Sequence, residues 1–330
     1  FKELKDELKH KYNFHTSGDT EVLMYCLIEW GKKALSKLDG MYAFIFYDGN
    51  KIMASVDHFG EKPVYLYEDE EEIMLSSEIL PIKSYFQDKL KINKNTEQLL
   101  EFYHLGFLLG EKTIYKNLYK LSNKKIYFIN NQLKIDRIDK INEINKKFNI
   151  SISDIHEELI KSIKNRLNSD VPVSLFLSSG IDSTLLATLI KIELNIDIDT
   201  YSFYKKKDEK IINYLKSLTD YLGIKSSIIN NLSHEFKYQD FKEAYQDINE
   251  CDTYFPYNEM CKYLKENTNK KVILTGIGAD EIFFGYNKYK FFYKYRHLYN
   301  INEKIFSIIN LFGNRFNLNI LKKSKIFSGK

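Results

Sequence analysis

The chain has 330 residues, and 49 Lys and Arg against 45 Asp and Glu leave a formal net charge of only +4. A balance that small, spread over many lysines, argues neither for a nucleic acid nor for an acidic membrane surface as partner. A hydrophobic fraction of 44% and a charged fraction of 28% suit an ordinary soluble globular protein, and the length suits two domains that each bury a core. The three cysteines, Cys26, Cys251 and Cys261, have no metal-type spacing and fit free thiols in a reducing compartment. No apolar run is long enough to span a bilayer and there is no signal peptide, so the cytoplasm is the expected location.

The first residues already follow a helical pattern, with Leu4, Leu8 and Tyr12 on one face. The chain opens on Phe1 and closes in a lysine-rich stretch, 321–330, without a capping signal, so both ends read as cut. Gly18-Asp19-Thr20-Glu21 precedes a helix whose apolar stripe is Val22, Leu23, Cys26, Leu27 and Trp30, and Asp19 is most simply its N-cap. Residues 41–47 are apolar on both alternating faces and predict a strand covered on both sides. Asp48-Gly49 is a hairpin signal with 51–56 as the return strand, and 64–67 with 73–76 make a second hairpin. Helices followed by an antiparallel meander suggest α+β layer packing. A helix over 96–109 follows, loosened by Gly106 and Gly110, and the Asn- and Lys-rich stretch 136–150 reads as a linker.

Beyond it, Ser151 and Ser153 cap a helix with Ile155, Leu159, Ile163 and Leu167 inward. Strand 173–177 runs into the turn Ser178-Ser179-Gly180-Ile181-Asp182-Ser183, and a helical pattern begins at Thr184. Strands at 199–203 and 225–229 flank a helix at 208–222 closed by Gly223; a mostly helical stretch then leads to strand 271–274. Alternating strand and helix is the doubly wound α/β pattern, which binds ligands beyond the carboxyl ends of its strands. A helix N-terminus opening from a Ser/Gly turn offers bare N–H groups, hydroxyls and a partial positive charge to an anion. No Walker-type lysine is present. Asp182 inside such a turn would oppose a phosphate by roughly 4 kcal/mol for charges about 4 Å apart at an effective dielectric near 20. A Mg²⁺ ion taking oxygens from both removes the conflict. Strand 271–274 ends in Thr275-Gly276-Ile277-Gly278-Ala279-Asp280-Glu281, again strand, glycine turn, acid and helix. Asp280 is either a second metal ligand beside Asp182 or the N-cap of its own helix.

These two turns resemble the pyrophosphate-loop signature S-G-G-x-D-S and the later G-E-G-x-D-E…G-Y of the asparagine synthetase B-type, glutamine-hydrolysing family. Members activate a side-chain carboxylate with ATP, release pyrophosphate and let ammonia from glutamine displace AMP. Ser179 stands in place of the first loop glycine, and Ile277 in place of a glutamate that helps handle the acyl-adenylate and the ammonia. The first half resembles the later part of a class II glutamine amidotransferase through Gly18-Asp19-Thr20-Glu21, Leu38-Asp39-Gly40-Met41, Asp57-His58-Phe59-Gly60-Glu61-Lys62-Pro63 and Ser76-Ser77-Glu78. Val56 replaces the usual arginine beside Asp57, and His58 reads as a surface turn residue.

The resemblance implies a truncated class II amidotransferase (Ntn-type) layer domain over 1–135, a linker over 136–150, and a doubly wound parallel-sheet pyrophosphate-loop ATPase domain over 151–330, incomplete at its C-terminal end. It implies ATP and Mg²⁺ as cofactors, with the metal on Asp182 and Asp280, and with Asp182, Asp280 and Glu281 as the catalytic acids, Glu281 either orienting the metal aspartate or serving only as a first-turn helix carboxylate. The nucleotide would meet Leu177, Ser178, Ser179, Gly180, Ile181, Asp182, Ser183, Phe203, Thr275 and Gly276, and Asp19 would bind the amino group of glutamine. The expected reaction is amidation of aspartate or another acid, such as a sugar carboxylate. The expected partners are small molecules, with neither nucleic acid nor membrane, and a homodimer is allowed. The family's N-terminal cysteine nucleophile is not in this chain, and Cys26, in an apolar helical stripe, has no free amine to replace it. The family's late lysine has no identifiable counterpart. A nucleotide-binding protein without turnover is the reading from another class. The aromatic and lysine-rich run after Tyr286 reads as a helix packing its rings on the sheet.

Overall fold

Of the whole chain, the computed structural model describes residues 1–92, 96–139, 149–204, 208–229, 239, 246–247 and 254–294. They fall into two units, Phe1–Phe148 with Glu235–Tyr257, and Asn149–His234 with Asn258–Lys330.

In the first unit, helices α1 (Lys2–Leu8) and α2 (Asp19–Trp30) precede four strands, β1 (Ala43–Tyr47), β2 (Ile52–Val56), β3 (Tyr65–Glu68) and β4 (Ile73–Ser76). Then come α3 (Ile79–Phe86), α4 (Thr96–Leu105), β5 (Leu118–Lys120), β6 (Lys125–Ile129) and β7 (Ile135–Asp139). The strands form two antiparallel sheets, in the orders β1-β2-β6-β7 and β4-β3-β5. Strand periodicity builds the layers. Met53 and Ile126 face the helices and pack with Leu8, Val22, Cys26 and Leu27. Their neighbours Ala54, Val56, Tyr127 and Ile129 point the other way, against Val64 and Leu66 of the second sheet. Tyr67, beside Leu66, turns to Ile79, Ile82 and Phe86 of α3. The order is therefore helix, sheet, sheet, helix, an α+β layer as expected.

Three expectations change in detail. β1 is a sheet edge with Ile45 and Tyr47 exposed, so it is not covered on both sides. The helix predicted over 96–109 stops at Leu105, where Gly106 takes a positive φ of 81°. Residues Asp136 to Asp139 pair with β6 rather than join the linker, while 140–148 lie outside the described residues.

Two further contacts organise this unit. Asp57, 1% exposed, follows β2 and accepts hydrogen bonds from the N–H groups of Phe59, Glu61 and Lys62, each at 3.0 Å. Burial raises the pKa of its carboxyl, but the three amides outweigh burial and hold it below the usual range. Burial and the nearby Asp57 charge push the Tyr42 phenol up to about 12. The second contact comes from much later in the chain. Gln246 accepts the N–H of Leu80 at the uncapped start of α3, and Asp247 accepts the N–H of Ile114 at 2.9 Å.

In the second unit, α5 (Ile152–Leu167) begins with a reciprocal box between Ser151 and Asp154, which satisfies two end N–H groups. Strands β8 (Val173–Phe176), β9 (Asp199–Phe203), β10 (Ser226–Ile229) and β11 (Val272–Leu274) alternate with α6 (Ile181–Thr188), α7 (Glu209–Leu222) and α8 (Tyr254–Asn267). All pairings are parallel, in the order β10-β9-β8-β11. On one face Leu175 and Leu177 pack with Ile163, Ala187, Ile190, Leu215 and Leu222. On the other, Phe203 meets Phe176 edge-on at 5.8 Å and Tyr263 of α8 at 5.7 Å. Helices on both faces of a parallel sheet make this a doubly wound α/β unit.

Asp57→Ala removes the acceptor of three part-buried amide hydrogen bonds and is expected to destabilise the first unit by about 2 kcal/mol at neutral pH. A carboxyl held low in the folded state contributes above its unfolded value of about 3.9 and loses that contribution as pH falls through the lower folded value. Denaturant unfolding of parent and variant at several acidic pH values should show the gap narrowing in that direction; a constant gap would refute the assignment.

Candidate functional site

β8, β9 and β10 run outward to one side, and the chain then returns to lay β11 on the other side of β8. Strand order therefore reverses between β8 and β11, and in open α/β sheets the crevice beyond the carboxyl ends at such a reversal is where ligands bind. Their register, Val173 with Val272 and Leu175 with Leu274, makes the two following turns leave side by side. They touch at Gly276. A Cβ there would lie 3.1 Å from Cβ of Asp182 and 3.3 Å from the backbone N of Ser183.

The first turn is tied from within. Ser183 Oγ accepts the N–H of Ser178 at 3.0 Å and lies 2.8 Å from Ser178 Oγ, which in turn accepts the N–H of Gly180 at 3.1 Å. Gly180 is extended (φ −77°, ψ 153°) and acts as N-cap, so α6 begins at Ile181, three residues before the expected Thr184. No side chain caps α6, which leaves its first-turn N–H groups directed at the crevice. Asp182 is therefore a first-turn residue, half-buried, while Ser179 and Ile181 are exposed.

The second turn enters the short helix α9 (Ala279–Phe283) through its N-cap Gly278, which takes a left-handed φ of 97°. Asp280 is one residue inside and is not the cap. Its carboxylate lies over Gly285, where a Cβ would fall 1.8 Å from Oδ1. Glu281 accepts the phenolic hydrogen of Tyr286 at 2.5 Å, and that bond, with burial and the charges of Glu281 and Asp280, pushes Tyr286 up to about 12. Ile277 is 68% exposed. Among the described residues, no donor is paired with the carboxylate of Asp182 or of Asp280. Nor is there any group of three or more metal-type side chains among them. Two unpaired carboxylates are oxygen donors of the kind a hard divalent ion takes, and the neighbouring bare N–H groups suit the phosphate oxygens such an ion would carry.

The remaining expected residues divide. Thr275 and Gly276 lie in the crevice turn, with Thr275 Oγ1 3.4 Å from the N–H of Ile277. Leu177 is 2% exposed, its N–H bonded to Tyr201 and its carbonyl to Ser202, so its side chain belongs to the core. The ring of Phe203 is engaged by Phe176 and Tyr263. In the first unit the N-cap of α2 is Gly18, not Asp19, and Asp19 is exposed in the first turn. Glu21 instead anchors the entry to α2, accepting from the N–H of His15 and from the N–H and hydroxyl of Thr16. Nothing in local spacing marks that role. Cys26 is fully buried, and burial pushes its thiol up, the reverse of what a nucleophile needs. His58 is exposed, as expected. Helix α10 (Asn287–Lys294) carries Tyr289, which meets Phe284 edge-on at 5.3 Å, while Tyr293 is exposed; the side chains of Phe291 and Phe292 lie outside the described residues. No described helix is long and apolar enough to cross a membrane.

Residues 1–137 match the glutamine amidotransferase domain family, and residues 154–317 match the asparagine synthase family. The chain is 31% identical over 305 residues to a Methanocaldococcus jannaschii protein provisionally named asparagine synthetase (glutamine-hydrolyzing) 2, covering 85% of this chain and 56% of the relative. Identity is 27% to asparagine synthetase (glutamine-hydrolyzing) 1 of Bacillus subtilis, with 87% and 46% of the two chains covered. It is 24% to asparagine synthetase B (glutamine-hydrolyzing) of Escherichia coli, with 86% and 50% covered. The chain thus spans about half the length of these curated relatives. With an amidotransferase match over the layered first unit and a synthase match over the parallel-sheet second, the chain belongs to the glutamine-hydrolysing asparagine synthetase family.

Proposed function

We propose that this chain carries the acid-activating centre of an ATP-dependent amidating ligase, supplied with ammonia from glutamine by the protein to which it belongs. The observation that carries the reading is the contact of Gly276 with Asp182 and Ser183, which brings both acidic turns to one crevice at the reversal of strand order. ATP lies with its polyphosphate against the first-turn amides of α6 and the hydroxyls of the 178–183 turn. Asp182 and Asp280 would hold Mg²⁺, which would neutralise charge on the phosphate oxygens. The substrate carboxylate attacks the α-phosphorus, and pyrophosphate leaves toward amides already aimed at the charge it develops. The acyl-adenylate then loses AMP to ammonia. Asp19, exposed at the head of α2, holds the amino group of glutamine, and the buried Cys26 takes no part in releasing its ammonia.

Aspartate is the acid proposed first. Ile277 supports a second reading, in which another acid, such as a sugar carboxylate, is amidated. An exposed isoleucine can neither accept a proton nor hold an ammonium ion where the family has a glutamate. The free thiols Cys26 and Cys261 agree with a reducing, cytoplasmic setting.

Mg-ATP binding by the 330-residue chain, measured calorimetrically, is expected to weaken by about tenfold or more, 1.4 kcal/mol, in Asp182→Ala and in Gly276→Val. The first loses a metal ligand and the second wedges the two turns apart. Unchanged binding in both variants would remove the crevice assignment, and binding without any AMP formation in the protein of origin would favour a nucleotide-binding role without turnover. The acid is decided by acid-dependent pyrophosphate release from that protein, parent against Ile277→Glu. Release with aspartate alone excludes the second reading, whereas release with other acids that shifts to aspartate in the variant supports it.

A further inference from the structure

The end of α9 holds contacts that the nucleotide reading does not use. Phe284 stands in the left-handed region at φ 57°, which turns the chain back toward the start of its own helix. The N–H of Gly285 then donates to the carbonyl of Asp280 at 3.0 Å. The bare α-carbon of Gly285 lies beneath the Asp280 carboxylate, in space that no side chain can share. The next residue, Tyr286, donates its phenolic hydrogen to Oε1 of Glu281 at 2.5 Å. Behind it, Tyr289 of α10 packs against both returning rings, 5.3 Å from Phe284 and 5.8 Å from Tyr286 between centroids.

We infer that Gly285 and Tyr286 form a clasp that fixes Asp280, with Tyr286 as a positioning residue acting through Glu281; this rests on the nucleotide reading above. Asp280 and Glu281 are adjacent acids on a helix of five residues, too short to hold their side chains apart by its own rigidity. An unrestrained Glu281 would rotate toward the same cation, competing with Asp280 and adding negative charge beside the polyphosphate. A charge-assisted bond from the phenol occupies Glu281 and fixes its rotamer. Gly285 meanwhile leaves room for Asp280 in one orientation. The turn thereby presents one carboxylate to the metal while its neighbour is held aside.

Tyr286→Phe removes only the hydroxyl and keeps the ring against Tyr289. The expected result is Mg-ATP binding weakened about tenfold or more, the scale of one charge-assisted hydrogen bond, with metal-free ATP binding in EDTA unchanged. In a Glu281→Ala background, where no carboxylate is left to be held aside, Tyr286→Phe is expected to cost no further Mg-ATP affinity, whereas Gly285→Ala should lose more than Tyr286→Phe. Amide hydrogen exchange across residues 279–286, read without nucleotide, should quicken in Tyr286→Phe while the thermal midpoint stays in place. Should Gly285→Ala not fold, the other two variants decide. Parental Mg-ATP affinity and exchange in Tyr286→Phe would overturn the clasp. A parent that binds no Mg-ATP yet shows hydroxyl-dependent protection would overturn the nucleotide reading and the positioning role, leaving a purely structural fastening.

Discussion

The absence of one side chain, at Gly276, governs the geometry of the second unit. Parallel pairing of β8 with β11 sets two turns at the same height, but pairing alone leaves them separated by the width of whatever side chains they carry. At Gly276 nothing intervenes, and the backbone after β11 approaches Asp182 and the first turn of α6 so closely that even a Cβ would be crowded. A helix N-terminus, a hydroxyl-rich turn and the turn that leads to Asp280 thereby lie side by side instead of on independent loops. Interior packing changes little under small displacements, so cores on both faces of the sheet hold that contact in place.

Hydrogen-bond donors separate the structural acid from the others. Asp57 is buried and takes three amides, which satisfies its charge and uses it to shape the 57–62 turn. Glu21 takes two amides and a hydroxyl and fastens the entry to α2. Asp182 and Asp280 have no such donors among the described residues although both are half-buried. Half-buried carboxylates without donors are costly unless something else is present to receive them. Asp57 and the crevice acids were both picked out by motif, yet they do different work.

Much of this was legible in the chain because the signals were local. The apolar strand before Ser178, the glycines at 276 and 278, and the Asp208 and Gly223 ends of α7 each act within a few residues, and each sits where its pattern puts it. What was misread depends on partners distant in sequence or on competing local roles. Ser, Gly and Asp in the 178–183 turn read as loop, but Gly180 caps early and α6 takes in Ile181, Asp182 and Ser183. The polar residues 136–139 resemble a linker by composition, yet β6 offers an open edge and they pair with it. β1 looks buried on both faces until its place at the sheet edge is known. The fastening of Glu281 by Tyr286 spans a chain reversal at Phe284, and a non-glycine residue at positive φ has no reliable signature in sequence.

The bonds from Gln246 and Asp247 to Leu80 and Ile114 bear on how the protein can be taken apart. The first unit is not a contiguous segment: a piece of polypeptide encoded after β10 supplies the missing cap of α3 and holds the approach to β5. During synthesis the amidotransferase layer therefore emerges incomplete and acquires its last fastening only once most of the partner sequence has been made. An excision made between the two families' matched regions would reproduce that unfinished state.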